Sequence, residues 1–230
     1  MKIIKCHYYH IISRITLCSL FIILLLLIMD KIIVVLGLDY NSSSVELSLY
    51  YFQNVFETDK IFSILITSFI FGYSMTNEQD SYRSFVLVSN VTRKKYFLLK
   101  VLTISIIIFI YICLVFISFF TVGRIKGIII RDIQIVSYLS LFLMSCYYGL
   151  LSCLFIQLFN NFYLVILPFV IYIICNSLIY EDIFKFLQYL IVIINEKGLI
   201  PNGMFVASLF VILILFLNLF VFMKRDFIAR

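Results

Sequence analysis

Few residues in this chain have the chemistry for catalysis or ligation, and their spacing points away from both. His7 and His10 share one helical face, but two imidazoles without a carboxylate or thiolate beside them make a poor metal site, and headgroup contact is the simpler reading. The six cysteines, at 6, 18, 113, 146, 153 and 175, show no paired CxxC spacing. All but Cys6 lie in apolar runs, where a thiol behaves as a small hydrophobe, so no disulfide is expected. The chain has no Gly-x4-Gly-Lys-[Ser/Thr] phosphate cradle, no His-Glu-x-x-His zinc motif and no Gly-x-Ser-x-Gly nucleophile turn. No catalytic residue, metal ligand or cofactor site is therefore assigned to this chain. Glu181 and Asp182 are its one adjacent external acid pair, the feature on which an intramembrane enzyme would have to draw.

The richest polar stretch is 77–95. It carries Glu78, Asp80, Tyr82, Arg83, Ser84, Phe85, Leu87 and Val88, and ends on the bases Arg93, Lys94 and Lys95, with Lys100 following. Acids early and bases late complement a helix dipole. Phe85, Leu87 and Val88 would then be left for a protein partner or the bilayer surface. An ordinary cytoplasmic loop would carry the same charge pattern, so charge alone does not separate the two.

These residues are set in an apolar frame. The chain is 64% hydrophobic and only 13% charged over 230 residues, with mean hydropathy +1.14, against about 45–50% and about 25% in soluble domains. A globular core cannot hide that excess, so lipid is the expected solvent. The net charge of +6 sits beside hydrophobic runs, where it anchors to headgroups; there is no basic stripe on a soluble fold, and nucleic-acid binding is not expected. A span needs about 20 apolar residues. Six runs qualify, at 14–36, 55–75, 96–122, 133–159, 162–180 and 203–223, giving one all-α polytopic membrane domain over 1–230. No small-x-small cleavage site follows the first run, which reads as a retained helix. Asp30 and Lys31 near its far end are placed at the interface. Residues 1–13 read as an interfacial helix and 181–202 as an external re-entrant hairpin before the last span.

Lys and Arg placement sets the topology. With both termini cytoplasmic, eleven basic residues fall inside and seven outside, the latter including Lys31 and Lys60. The central parts of the six runs hold Ser63, Thr67, Ser105, Ser140, Ser145, Ser152, Asn176 and Asn218, but no Asp, Glu, Lys or Arg. Ion-coupled pumps carry such groups, so the energy for any transport is expected from outside the membrane.

The layout resembles the type-2 ABC exporter permeases (ABC-2), including the small permeases of bacteriocin and lantibiotic immunity transporters. In that family an acidic stretch follows the second span, a short helix ends in a Pro-x-Ser-Arg-like turn, and a Lys opens the third span seven residues later. This chain has Glu78-Gln79-Asp80-Ser81-Tyr82, then Asn90-Val91-Thr92-Arg93, then Lys100. Ser81 and Tyr82 stand where the family has Gly-Thr, and Asn90 where it has Pro. The resemblance implies a permease subunit for a hydrophobic or amphipathic substrate, a peptide antibiotic being the leading candidate. It further implies a cytoplasmic ABC ATPase partner that binds ATP and Mg, a second permease copy or sister permease, and 77–95 as the coupling segment. The rival readings are a stand-alone immunity or sensor protein and an intramembrane enzyme.

Overall fold

A computed structural model describes residues 14–37, 44–76, 92–125, 127–128, 132–178, 194–195, 198–199 and 201–224. The expected interfacial helix over 1–13, the segment 77–91 and most of the expected hairpin over 181–202 lie outside the described residues, as do His7 and His10.

The described chain is helical almost throughout. In order come α1 (Arg14–Leu36), α2 (Ser44–Thr76), α3 (Arg93–Ile125), α4 (Asp132–Phe159), a short 3-10 helix (Phe162–Ile166), α5 (Leu167–Leu178) and α6 (Pro201–Lys224). The one extended feature is a two-residue antiparallel pair, β1 (Ile194–Asn195) with β2 (Gly198–Leu199), in which Asn195 faces Gly198. Among the described residues, three helical stretches are long and apolar enough to cross a bilayer: Arg93–Ile125, Gln134–Phe159 and Ala207–Lys224. These are the apolar helices of a membrane protein.

Local chemistry sets the helix ends. After α3, Gly127 takes φ +73°, and the N–H groups of Gly127 and Ile128 close on the carbonyls of Arg124 and Gly123 at 3.0 Å, satisfying acceptors that the helix end would leave bare. Asn160 does the same after α4 at φ 52°, a conformation asparagine tolerates better than most residues. Asn161 then caps the 3-10 turn, its side chain accepting from the Tyr163 N–H at 3.0 Å. The only two prolines, Pro168 and Pro201, fall in the first turns of α5 and α6, where a missing N–H costs no helical bond.

The first expected span coincides with α1, and those at 96–122, 133–159 and 203–223 lie within α3, α4 and α6. Two expectations need correction. The run at 162–180 divides into a 3-10 turn and a 12-residue α-helix. The run at 55–75 belongs to a helix that begins at Ser44. At 1.5 Å per residue its 33 residues reach about 50 Å, beyond a hydrocarbon core of about 30 Å. The polar residues before 61 hid this extension, because an apolar-run search stops where a protein-facing helix becomes charged.

Side-chain contacts fix the relative directions of the helices. Ser48, Asp59 and Phe71 of α2 meet Gln134, Tyr138 and Gly149 of α4 in the same order, so these two helices run parallel. Tyr147 and Leu150 of α4 meet Phe210 and Asn218 of α6 in the same sense. Helix α3 runs the other way: its early Lys100 meets Ser74 near the end of α2, and its late Phe119 meets Tyr51 near the start.

The contacts between α2 and α4 are close. A Cβ on Gly149 would collide with the Phe71 ring, and one on Gly72 with Val165, so small residues bring the backbones together as is usual within membranes. Buried polar side chains join the helices. Asn218, fully buried, donates to the Leu150 and Ile214 carbonyls at 2.9 Å, and Ser152 donates to the Val165 carbonyl at 3.1 Å. Opposite faces are apolar and exposed, as along Leu98, Leu102, Ile106, Phe109 and Ile117 of α3.

Candidate functional site

On α1 the residues Leu27, Lys31 and Val35, spaced one helical turn apart, all point inward and are buried, whereas Met29, Ile32 and Ile33 are exposed. The helix thus turns its one lysine into the protein and its hydrophobes outward. Lys31 Nζ meets Asp59 Oδ1 of α2 at 2.6 Å, with both side chains at 0% exposure. Tyr138 of α4 donates its hydroxyl to Asp59 Oδ2 at 2.5 Å. Lys31 also donates to the Leu27 carbonyl at 3.4 Å. One carboxylate therefore gathers three helices.

Aromatic rings wall this site. Phe56 and Phe119 lie 5.3 and 5.6 Å from the Tyr138 ring, and Tyr51 stacks on Phe119 at 4.9 Å while donating to the Phe119 carbonyl at 3.1 Å. In such surroundings an isolated charge would cost several kcal/mol; direct pairing plus added hydrogen bonds offsets that cost. Tyr111 of α3 stands beside Ser63 and within electrostatic reach of Asp59. The Tyr111 and Ser63 hydroxyls are buried against each other, and Asp30 Oδ2 on α1 is buried without a hydrogen-bond partner among the described residues.

The expectation that the central parts of the six runs hold no acid or base did not cover this cluster, in which Lys31, near the far end of α1, is buried against Asp59 of α2. Lys31 and Lys60, assigned to headgroups on the outer side, are both buried; Lys60 bonds Glu57 at 2.6 Å one turn away. The physical reason is the early start of α2, which carries Asp59 and Lys60 into the helix packing while Glu57 stays exposed. Lysine and aspartate in neighbouring apolar helices were the available signal, but each was adjacent to another charge and so looked like a helix end. The polar residues Ser63, Thr67, Ser140, Ser145, Ser152 and Asn218 are likewise buried within this chain. Thr67 bonds the Ser63 carbonyl at 2.8 Å and Ser140 that of Ser137 at 2.7 Å.

The sequence-predicted site divides in two. Glu78, Asp80, Tyr82, Arg83, Ser84, Phe85, Leu87 and Val88 lie outside the described residues. Arg93, Lys94 and Lys95 form the first turn of α3, with Lys94 and Lys95 exposed and Arg93 half-buried. Lys100 departs from this group. It is buried, donates to the Ser74 carbonyl near the end of α2, and lies 5.9 Å from the centre of the Tyr96 ring. A cation there complements the carbonyl end of α2 and ties the two helix ends that flank 77–91.

With Lys31, Lys60 and Lys100 withdrawn from the headgroup set, eleven against seven becomes ten against five, so the charge bias keeps its sign. At the same end of the bundle, Phe222 of α6 packs on Phe97 of α3 at 5.0 Å, bringing Lys224 to the end that carries Arg93, Lys94 and Lys95.

Among the described residues no group of three or more His, Cys, Asp or Glu side chains is arranged to hold a metal ion. The arrangement holds opposite charges of neighbouring helices together inside the protein. In comparisons with family models, curated proteins and solved structures, nothing matches this chain.

Proposed function

We propose that this chain is the membrane-spanning permease subunit of an ATP-driven exporter. Its six helices act as six spans with both termini cytoplasmic, and a separate ABC ATPase binds ATP and Mg and docks on residues 77–91. The cargo is hydrophobic or amphipathic, of the peptide-antibiotic kind, and a second permease copy or sister permease completes the path. The observation that carries this reading is the clustering of Arg93, Lys94, Lys95 and Lys224 at one end of the bundle. Under the positive-inside rule that end is cytoplasmic. The segment 77–91 leaves and re-enters the bundle there, its two flanking helices tied by Lys100 and the Ser74 carbonyl. A docking element anchored at both ends passes an ATPase movement on to α2 and α3 rather than absorbing it.

The experiment is co-purification in mild detergent from cells expressing the chain with its native neighbours. An ATPase bearing a P-loop should accompany the chain in stoichiometric amount, and Arg83→Glu or Phe85→Ala should reduce its recovery several-fold. A chain that confers resistance to a peptide antibiotic with no ATPase attached would instead be a stand-alone immunity protein.

A further inference from the structure

Three contacts fix the height of the early turns of α2 against the neighbouring helices. Asp59 meets Lys31 of α1 and Tyr138 of α4 at 2.6 and 2.5 Å, and the Tyr51 ring stacks on Phe119 of α3 at 4.9 Å. Within two residues of these contacts α1 exposes Met29 and Ile33, α3 exposes Ile117 and Phe120, and α4 exposes Val136 and Leu139. On α2 itself, two residues from Tyr51 and from Asp59, stand Gln53 and Glu57, with Asn54 between them. All three are exposed, the Glu57 side chain at 56%.

Hydrophobes exposed on three helices mark this height as bathed by lipid. Carboxamides and a carboxylate at the same height are out of place there, because polar side chains within a membrane turn toward protein or a watery cavity. They form one stripe: Tyr50, Asn54, Glu57 and Ile61 are all exposed and follow at three- and four-residue spacing, so they share a face of α2. That face needs a cover that supplies hydrogen bonds.

We infer that a second copy of this chain covers the stripe, α2 packing on α2 about a two-fold axis along the membrane normal. Such an axis returns every residue to its own height, so like meets like. A carboxamide both donates and accepts, which makes Gln53 and Asn54 complementary to their own copies. Asn54 Nδ2 donates to the Tyr50 carbonyl at 2.9 Å, which leaves its oxygen to accept from an amide of the other copy. Glu57 is matched by Lys60 on its own helix at 2.6 Å, so two bare carboxylates do not confront each other. Tyr50 and Ile61 flank the amides along the helix and supply apolar area to close the seam. Amide bonds between helices are an established glue within membranes. The inference deepens the proposed pairing with a second permease copy by naming the face it uses; no ATPase enters it.

The test is cysteine cross-linking of the full chain, with its native cysteines replaced, in membranes of cells that express it alone. Tyr50→Cys and Ile61→Cys leave the amides in place and should each give a covalent dimer on mild oxidation. Ile33→Cys and Leu139→Cys, at the same height on α1 and α4, should give none. Adding Gln53→Leu and Asn54→Leu to Ile61→Cys should lower the dimer yield about tenfold, the effect of losing amide bonds between helices. The comparison among cysteine positions stands by itself if the leucine variant does not accumulate. Equal dimer from the α1 or α4 positions, or an unchanged yield in the leucine variant, overturns the inference. So does a bond from Tyr50→Cys to Phe186→Cys within one chain in place of the dimer, which would assign the stripe to the chain's own segment 179–193. Because no ATPase is present, failure here leaves docking at 77–91 standing, and failure of that docking leaves this dimer standing.

Discussion

Replacing Lys31 with Met removes the ammonium and leaves Asp59 with Tyr138 as its remaining hydrogen-bond donor. At 2.6 Å and an effective dielectric of about 20, the lost attraction is about 6 kcal/mol. Part of this was already spent on desolvating the lysine, so the net loss is smaller; breaking one side of a buried pair typically costs about 3–5 kcal/mol. The folded-to-unfolded ratio should therefore fall by about two to three and a half orders of magnitude. The double variant Lys31→Met/Asp59→Asn has no charge left to strand. Its amide oxygen still accepts from Tyr138, so it should recover to within about 2 kcal/mol of the wild type, since neutral replacements of buried pairs are often tolerated. The assay is reversible unfolding in mixed micelles with increasing denaturing detergent, comparing wild type, both single variants and the double. A Lys31→Met protein within about 1 kcal/mol of wild type would refute the reasoning, because no buried pair gives up its cation that cheaply. So would a double variant as unstable as the worse single one.

Tyr138→Phe deletes the second donor to Asp59 and should cost about 1.5–3 kcal/mol in the same assay, the range for a hydrogen bond to a charged group. Gly149→Ala drives a methyl into the Phe71 ring and should cost about 1–3 kcal/mol; the double variant with Phe71→Leu should regain part of it, as a double-mutant cycle would read. Lys100→Met should cost about 1.5–3 kcal/mol by stranding the Ser74 carbonyl, and Lys100→Arg should retain most of the stability. Asn218→Leu removes one carbonyl contact between α6 and α4, to Leu150, and one within α6, to Ile214, and should cost about 0.6–2 kcal/mol, measured by the same unfolding curve.

How much of this was legible in the sequence depended on which way a helix faces. Apolar run length located α1, α3, α4 and α6, because lipid-facing helices must be apolar along a whole span. The same criterion misplaced the start of α2, whose early turns pack against α3 and α4 and need not be apolar there. Tyr51 and Asp59 are both fully buried in that stretch. The ion pair was hidden for a related reason. Lys31 follows Asp30 in sequence and Asp59 precedes Lys60, so each resembled a charged helix boundary. Only the meeting of α1, α2 and α4 distinguishes a buried partner from a headgroup anchor. Lys100 was legible as a base at the opening of a helix, but its burial against the Ser74 carbonyl depends on where α2 ends.

The reading as an ATP-coupled permease stands on the side of the membrane that residues 77–91 occupy. A single cysteine placed at Ser84, in a background with the native cysteines replaced, can be labelled in oriented vesicles by a membrane-impermeant maleimide. Labelling in inside-out vesicles alone is the predicted result, with protection when the ATPase is bound. Labelling from the external face would contradict the account.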